Sequence, residues 1–236
     1  MNDTVIIEPT RSTVACGQDE LPVLEISLGR TPRGLVLVLC ERSDLDREAP
    51  RIMNRLALHG YCSLAAEVDQ PNGEYAQRLS EVAVERDWAP DQIGMVGLGD
   101  GGLACLAAAA SIRIGAAVSL SPTVELGIAG AGSPFEEVAE VVTPWLGLLG
   151  EADPGVSPTE INALRARLYD RSDVHTQVVT YPGVGRDFPL RGDDGLSYAA
   201  CYDGWQRTVE WLELRVAPRL TPLAEQWRRR RAAMSG

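Results

Sequence analysis

Apolar runs alternate with stretches of helical period along most of the chain. Val23–Leu28 and Gly34–Leu39 read as strands, and the second, Gly-Leu-Val-Leu-Val-Leu, has the unbroken aliphatic character of a strand covered on both faces. Arg47–His59 places Ile52 and Leu56 at helical spacing, with Gly60 set to end that helix. Cys62–Ala66 predicts another strand, Glu74–Asp87 a charged amphipathic helix, Ile93–Gly97 a short strand, Asp100–Ile112 an alanine-rich helix and Gly115–Leu120 a strand again. Beyond a Gly/Pro-rich loop at Ser121–Pro134, strands are expected at Trp145–Leu149 and Gln177–Tyr181, separated by a helix from Pro158 to Tyr169. A last long helix covers Leu196–Val216. This rhythm implies the α/β class, a mostly parallel central sheet with helices on both faces. With no internal repeat and no linker, residues 1–236 are expected to form one domain, its core about 20–217, followed by a basic helical tail about 218–236.

Composition narrows the chemistry. All 22 basic residues are arginine, so Schiff-base chemistry, lysine nucleophiles and a P-loop lysine are excluded. A formal charge of −11 argues against nucleic acid as a partner, because phosphate contacts need a basic face. The run Arg228–Arg231 after Trp227 reads, on so acidic a chain, as a solvated helix end. Cys16, Cys40, Cys62, Cys105 and Cys201 are odd in number and form no C-x-x-C pair, which suits buried free thiols in a reducing compartment. The amino terminus lacks a basic and an apolar signal region, and the apolar stretch Leu103–Ala117 is broken by Arg113 and too short to span a bilayer. The expectation is a soluble cytoplasmic protein without membrane contact, metal or cofactor, whose partner is a small-molecule ligand.

The most informative segment is Gly94-Met-Val-Gly-Leu-Gly-Asp-Gly-Gly-Leu103, a strand turning directly into a helix. Gly97, Gly99 and Gly102 fit G-x-G-x-x-G, which bares helix N–H groups to a pyrophosphate; the next strand, however, ends Ser119-Leu120-Ser121 with no acidic residue for a ribose. The same turn fits a nucleophile elbow, with Gly97 and Gly101 as the small residues and Gly99, which has no attacking atom, in the nucleophile position. A shift of one residue makes Asp100 the nucleophile and puts Leu98 into a slot that needs a small side chain. In a third reading the glycines only let a helix start close to the sheet.

Five blocks taken in order resemble the dienelactone hydrolase family of the α/β-hydrolase superfamily. Gly34–Glu41 is similar to the family's strand ending in glutamate, and Arg47–Cys62 to the helix and strand entry that follow. Ile93–Ala104 resembles its elbow, Leu146–Pro158 its acid loop and Tyr181–Phe188 its histidine loop. The resemblance implies an α/β-hydrolase fold. It places the triad acid at Asp153, the nucleophile at Gly99, the histidine at Arg186, and the glutamate that neighbours the resting thiol at Glu41.

Two of the three catalytic positions are thus substituted. Arginine stays protonated and cannot take a nucleophile's proton. His59 sits at a helix end before Gly60 and His175 at the start of a strand, and both read as structural. Arg186 is expected to pair with Asp153, holding the loop without titrating near neutrality. Alternatively, Arg186 and the N–H groups opening the Asp100 helix bind an anion, against the charge of Glu41, Asp100 and Asp187. The readings carried forward are a pseudoenzyme that binds a small molecule through Glu41, Gly99, Asp100 and Arg186 or serves as an accessory protein; a hydrolase using Asp100; and a non-covalent acid/base catalyst of the lyase or isomerase kind using Glu41, Asp100 or Asp153.

Overall fold

Along strand β3 (Gly34–Glu41), Leu35, Leu37 and Leu39 enter one apolar cluster while Val36, Val38 and Cys40 enter another, so the strand is buried on both faces. The computed structural model describes residues 6–16, 19–41, 44–68, 73–122, 140–155, 157–191 and 194–234. Before β3 come β1 (Thr10–Cys16) and β2 (Asp19–Ile26); after it come α1 (Ala49–Leu58), β4 (Tyr61–Val68), α2 (Glu74–Glu85), β5 (Ile93–Leu98), α3 (Asp100–Ala109) and β6 (Ala116–Leu120). The chain continues through β7 (Trp145–Gly150), α4 (Pro158–Arg171), β8 (Thr176–Tyr181), α5 (Gly195–Arg215) and α6 (Pro222–Met234).

The eight strands form one sheet in the order β1-β2-β4-β3-β5-β6-β7-β8. From β4 to β8 every neighbouring pair is parallel, whereas β1 pairs antiparallel with β2 and β2 with β4. On one face α2, α3 and α4 contribute Leu79, Val82, Leu106 and Leu164; on the other, α1 and α5 contribute Ile52, Met53, Trp211 and Leu212. This is the mostly parallel α/β architecture expected, and among the described residues no helix is long and apolar enough to cross a membrane.

Several elements differ from the sequence expectation. Strand β1 was not foreseen, and the strand expected at Val23–Leu28 runs Asp19–Ile26. Helix α1 starts at Ala49 rather than Arg47 because Pro50, which cannot donate within a helix, belongs in the first turn. Most of the expected Ser121–Pro134 loop lies outside the described residues. Within the expected basic tail, α6 is helical, and none of its described side chains is buried.

Candidate functional site

The parallel strands deliver four of the five singled-out residues to one edge of the sheet, at or just beyond their carboxyl ends, where open α/β sheets bind ligands. Glu41 closes β3, Gly99 follows β5, Asp153 follows β7 and Arg186 follows β8. Gly99 makes the turn from β5 into α3 with φ 59° and ψ −121°, a conformation strained for any residue with a Cβ, and Asp100 is the first residue of the helix. The neighbouring glycines are explained by contact. A Cβ on Gly97 would strike the Gly101 carbonyl, and one on Gly101 would strike the Leu39 carbonyl of β3. The helix therefore starts against the sheet, as the structural reading of the motif requires.

Glu41 is the centre of the site. Its Oε1 accepts the Asp100 backbone N–H at 3.3 Å and the Arg186 guanidinium at 3.0 Å. A Cβ built on Gly99 would run into that same oxygen. One carboxylate oxygen thus fills the space over the turn and holds both the helix N-terminus and the arginine. A chain of buried contacts sets Arg186. Val184 and Phe188 are buried on either side of it, the Val184 carbonyl accepts the Ala152 N–H at 2.9 Å, and the Pro189 carbonyl accepts the Trp205 indole at 2.8 Å.

The expected pairing of Arg186 with Asp153 is not found: among the described residues the arginine's ion pair is with Glu41. Asp153 is buried and turns its carboxylate back on its own loop, accepting the Gly155 N–H at 2.9 Å. The two loops do lie together, through Ala152 and Val184, but the Arg186 guanidinium is bonded to the carboxylate on β3.

A cavity of about 250 Å³ opens over the turn, lined by Glu41, Asp44, Arg47, Leu98, Gly99, Ser121, Arg186, Asp187 and Leu190. Asp100 and Asp153 are not among its walls. Sequence reasoning did not single out Ser121, which follows β6 with φ 42°, is buried, and among the described residues has no hydrogen-bond partner for its hydroxyl. No local pattern marks it, since a serine after a strand says nothing of its φ. A second, larger hollow of about 470 Å³, with Trp205, Ile52 and Pro50 in its walls, shares only Leu190 with the first.

The remaining nucleophile and base candidates stand apart. Cys40 lies buried beside Glu41, and burial first, then Asp44 and other carboxylates, pushes its thiol far above the ordinary range. Cys105 is pushed up to about 12 and Cys62 is raised, both chiefly by burial. His59 and His175 precede β4 and β8 at the opposite edge of the sheet; six residues of β8 alone span roughly 20 Å. His175 accepts from Arg215 at 2.7 Å beside Trp211, a structural packing.

The sheet order and a strand-turn-helix apex at Gly99 define an α/β-hydrolase. The model of the dienelactone hydrolase family matches residues 75–215, and the chain belongs to that family. It is 24% identical over 210 residues to an Escherichia coli protein named "Putative carboxymethylenebutenolidase", covering 77% of each chain. The corresponding Salmonella typhimurium protein is 24% identical over 205 residues, covering 75% of this chain and 76% of that one. Among solved structures it is similar to a dienelactone hydrolase-like promiscuous phosphotriesterase from metagenomic libraries, with TM-score 0.69, 19% identity, and 88% and 98% of the two chains covered. Est1E from Butyrivibrio proteoclasticus gives TM-score 0.64 and 16% identity, covering 86% of this chain and 99% of its own.

Proposed function

We infer that this dienelactone hydrolase family member has lost its hydrolytic triad and works as a non-hydrolytic small-molecule-binding or accessory protein of the cytoplasm. One observation carries the reading. Gly99, which has no side chain, forms the apex of the strand-turn-helix, and the Glu41 carboxylate lies in the space above it and accepts the Asp100 N–H that would otherwise hold an oxyanion. Gly99 supplies no attacking atom, and Arg186 cannot act as a base. Asp100 begins the helix instead of forming the apex, which speaks against it as a substitute nucleophile. Buried, unpaired Cys40, Cys62, Cys105 and Cys201 suit a reducing compartment.

The test is a panel of p-nitrophenyl esters and butenolides, carboxymethylenebutenolide included, run beside a fluorophosphonate probe. The expected outcome is no turnover above the buffer rate and no labelling. Wild-type turnover that disappears in Asp153→Asn would overturn the reading.

A further inference from the structure

Among its described residues, helix α6 buries no side chain against its own chain. It is 13 residues long, a length at which an isolated helix is only marginal in water, and its arginine run adds self-repulsion. Leu223 and Trp227, four apart and therefore on one face, are 65% and 61% exposed. Arg228, Arg229 and Arg230 have no ion-pair partner among the described residues. The root of the helix, by contrast, is fixed. The Ala217 N–H donates to the Asp91 carbonyl at 2.7 Å, the Arg219 N–H to the Arg33 carbonyl at 2.8 Å, and the Arg219 guanidinium covers the Trp88 ring at 4.5 Å. These contacts lie at the starts of β3 and β5, the edge of the sheet opposite Gly99, and Pro218 and Pro222 stiffen the short link into α6. Flanking Trp88 at that root, Asp87 and Asp91 are exposed and without an ion pair among the described residues, and Val84 is 47% exposed in the last turn of α2. Glu81 and Glu85 nearby are already paired with Arg78.

We propose that α6 docks on the Val84–Asp91 patch of a second copy of this chain, in a two-fold pair in which each copy gives its helix and receives the other's. A two-fold contact needs one surface that carries both complementary halves, and here a basic, apolar helix adjoins an acidic, apolar patch onto which it does not fold back. Charge selects the occupant. Residues 218–236 hold five arginines against one glutamate in a chain of net charge −11, so the remainder repels anionic lipid and nucleic acid and attracts the helix of a second copy. In the pair, Val84 covers Trp227 and Leu223 while Asp87 and Asp91 meet the arginines. The contact lies away from the Gly99 cavity and holds whether or not the triad works.

The test is sedimentation equilibrium of the full chain across a concentration series in about 50 mM and about 500 mM sodium chloride. A dimer is expected at low salt, dissociating at least tenfold more readily at high salt. A helix variant, Arg228→Glu with Arg229→Glu and Arg230→Glu, and a patch variant, Val84→Arg with Asp91→Arg, are each expected to be monomeric. Mixed together they are expected to form a one-to-one heterodimer, because each reversed half then meets its opposite. If the patch variant does not fold, Asp87→Asn with Asp91→Asn takes its place and is expected to weaken the dimer at least threefold. A wild type that stays monomeric at low salt, a dimer that survives the helix variant, or two folded charge-reversed variants that fail to pair would each overturn the proposal. So would a monomer that binds phosphatidylglycerol vesicles through α6, which would assign the helix to lipid instead.

Discussion

Restoring hydrolysis at this site takes more than two side chains. Gly99→Ser would supply a nucleophile, Arg186→His a base, and Asp153 is already beside the loop to orient an imidazole. Glu41, however, lies over the turn and on the Asp100 N–H and has to move aside for the new side chain, so the double variant is expected to turn over p-nitrophenyl acetate only slowly. Adding Glu41→Ala clears the turn and frees the Asp100 N–H, and an acyl-enzyme burst at least tenfold above the double variant is expected. Gly99→Ser alone should lower stability by about 1–3 kcal/mol, read in denaturant melts, because φ 59° strains a residue with a side chain. The glycine pattern made the apex legible in sequence. The choice of Arg186 between Asp153 and Glu41 was not, because it depends on how far one side chain extends across 145 residues of separation.

At the scale of elements, local chemistry was legible wherever it was self-contained. Ser157 and Glu160 form a reciprocal cap that starts α4 at Pro158, where expected. Asp194 caps α5, accepting the Leu196 and Ser197 N–H groups at 2.8 Å, and the expected start was off by one residue. Strand β1 was missed because only Val14 among its described side chains is buried; pairing with β2, not an apolar stripe, makes it a strand. The Asp194 cap has a pH signature. Its bonds to Ser197, then to Leu196, hold the carboxyl below its ordinary value of 3.8. A depressed folded value stabilises the protein above the ordinary one and ceases to as pH falls through the folded value. Asp194→Ala should therefore melt below the wild type at pH 7, the gap closing as pH falls from about 5 to below 3.8. A gap that persists at the acid end would sink the assignment.

At the scale of the whole molecule, register decides what meets what. The parallel ladder from β4 to β8 brings Glu41, Gly99, Asp153 and Arg186 to one edge and leaves both histidines at the other. It also distributes the thiols. Cys40 and Cys105 are fully shielded at the heart of the sheet and its central helix, while Cys62 and Cys201 are each 8% exposed nearer the periphery. Each is mute toward alkylating reagents until the backbone around it breathes, since only the solvated thiolate reacts. The protein is therefore fitted with four internal clocks. In a Cys16→Ser background retaining one of them at a time, iodoacetamide should read Cys62 and Cys201 through small, denaturant-insensitive fluctuations. Cys40 and Cys105 should react only through openings whose denaturant dependence matches global unfolding. A fast, denaturant-insensitive Cys40 would mean that the end of β3, and with it the Glu41 latch, comes loose while the rest of the sheet holds.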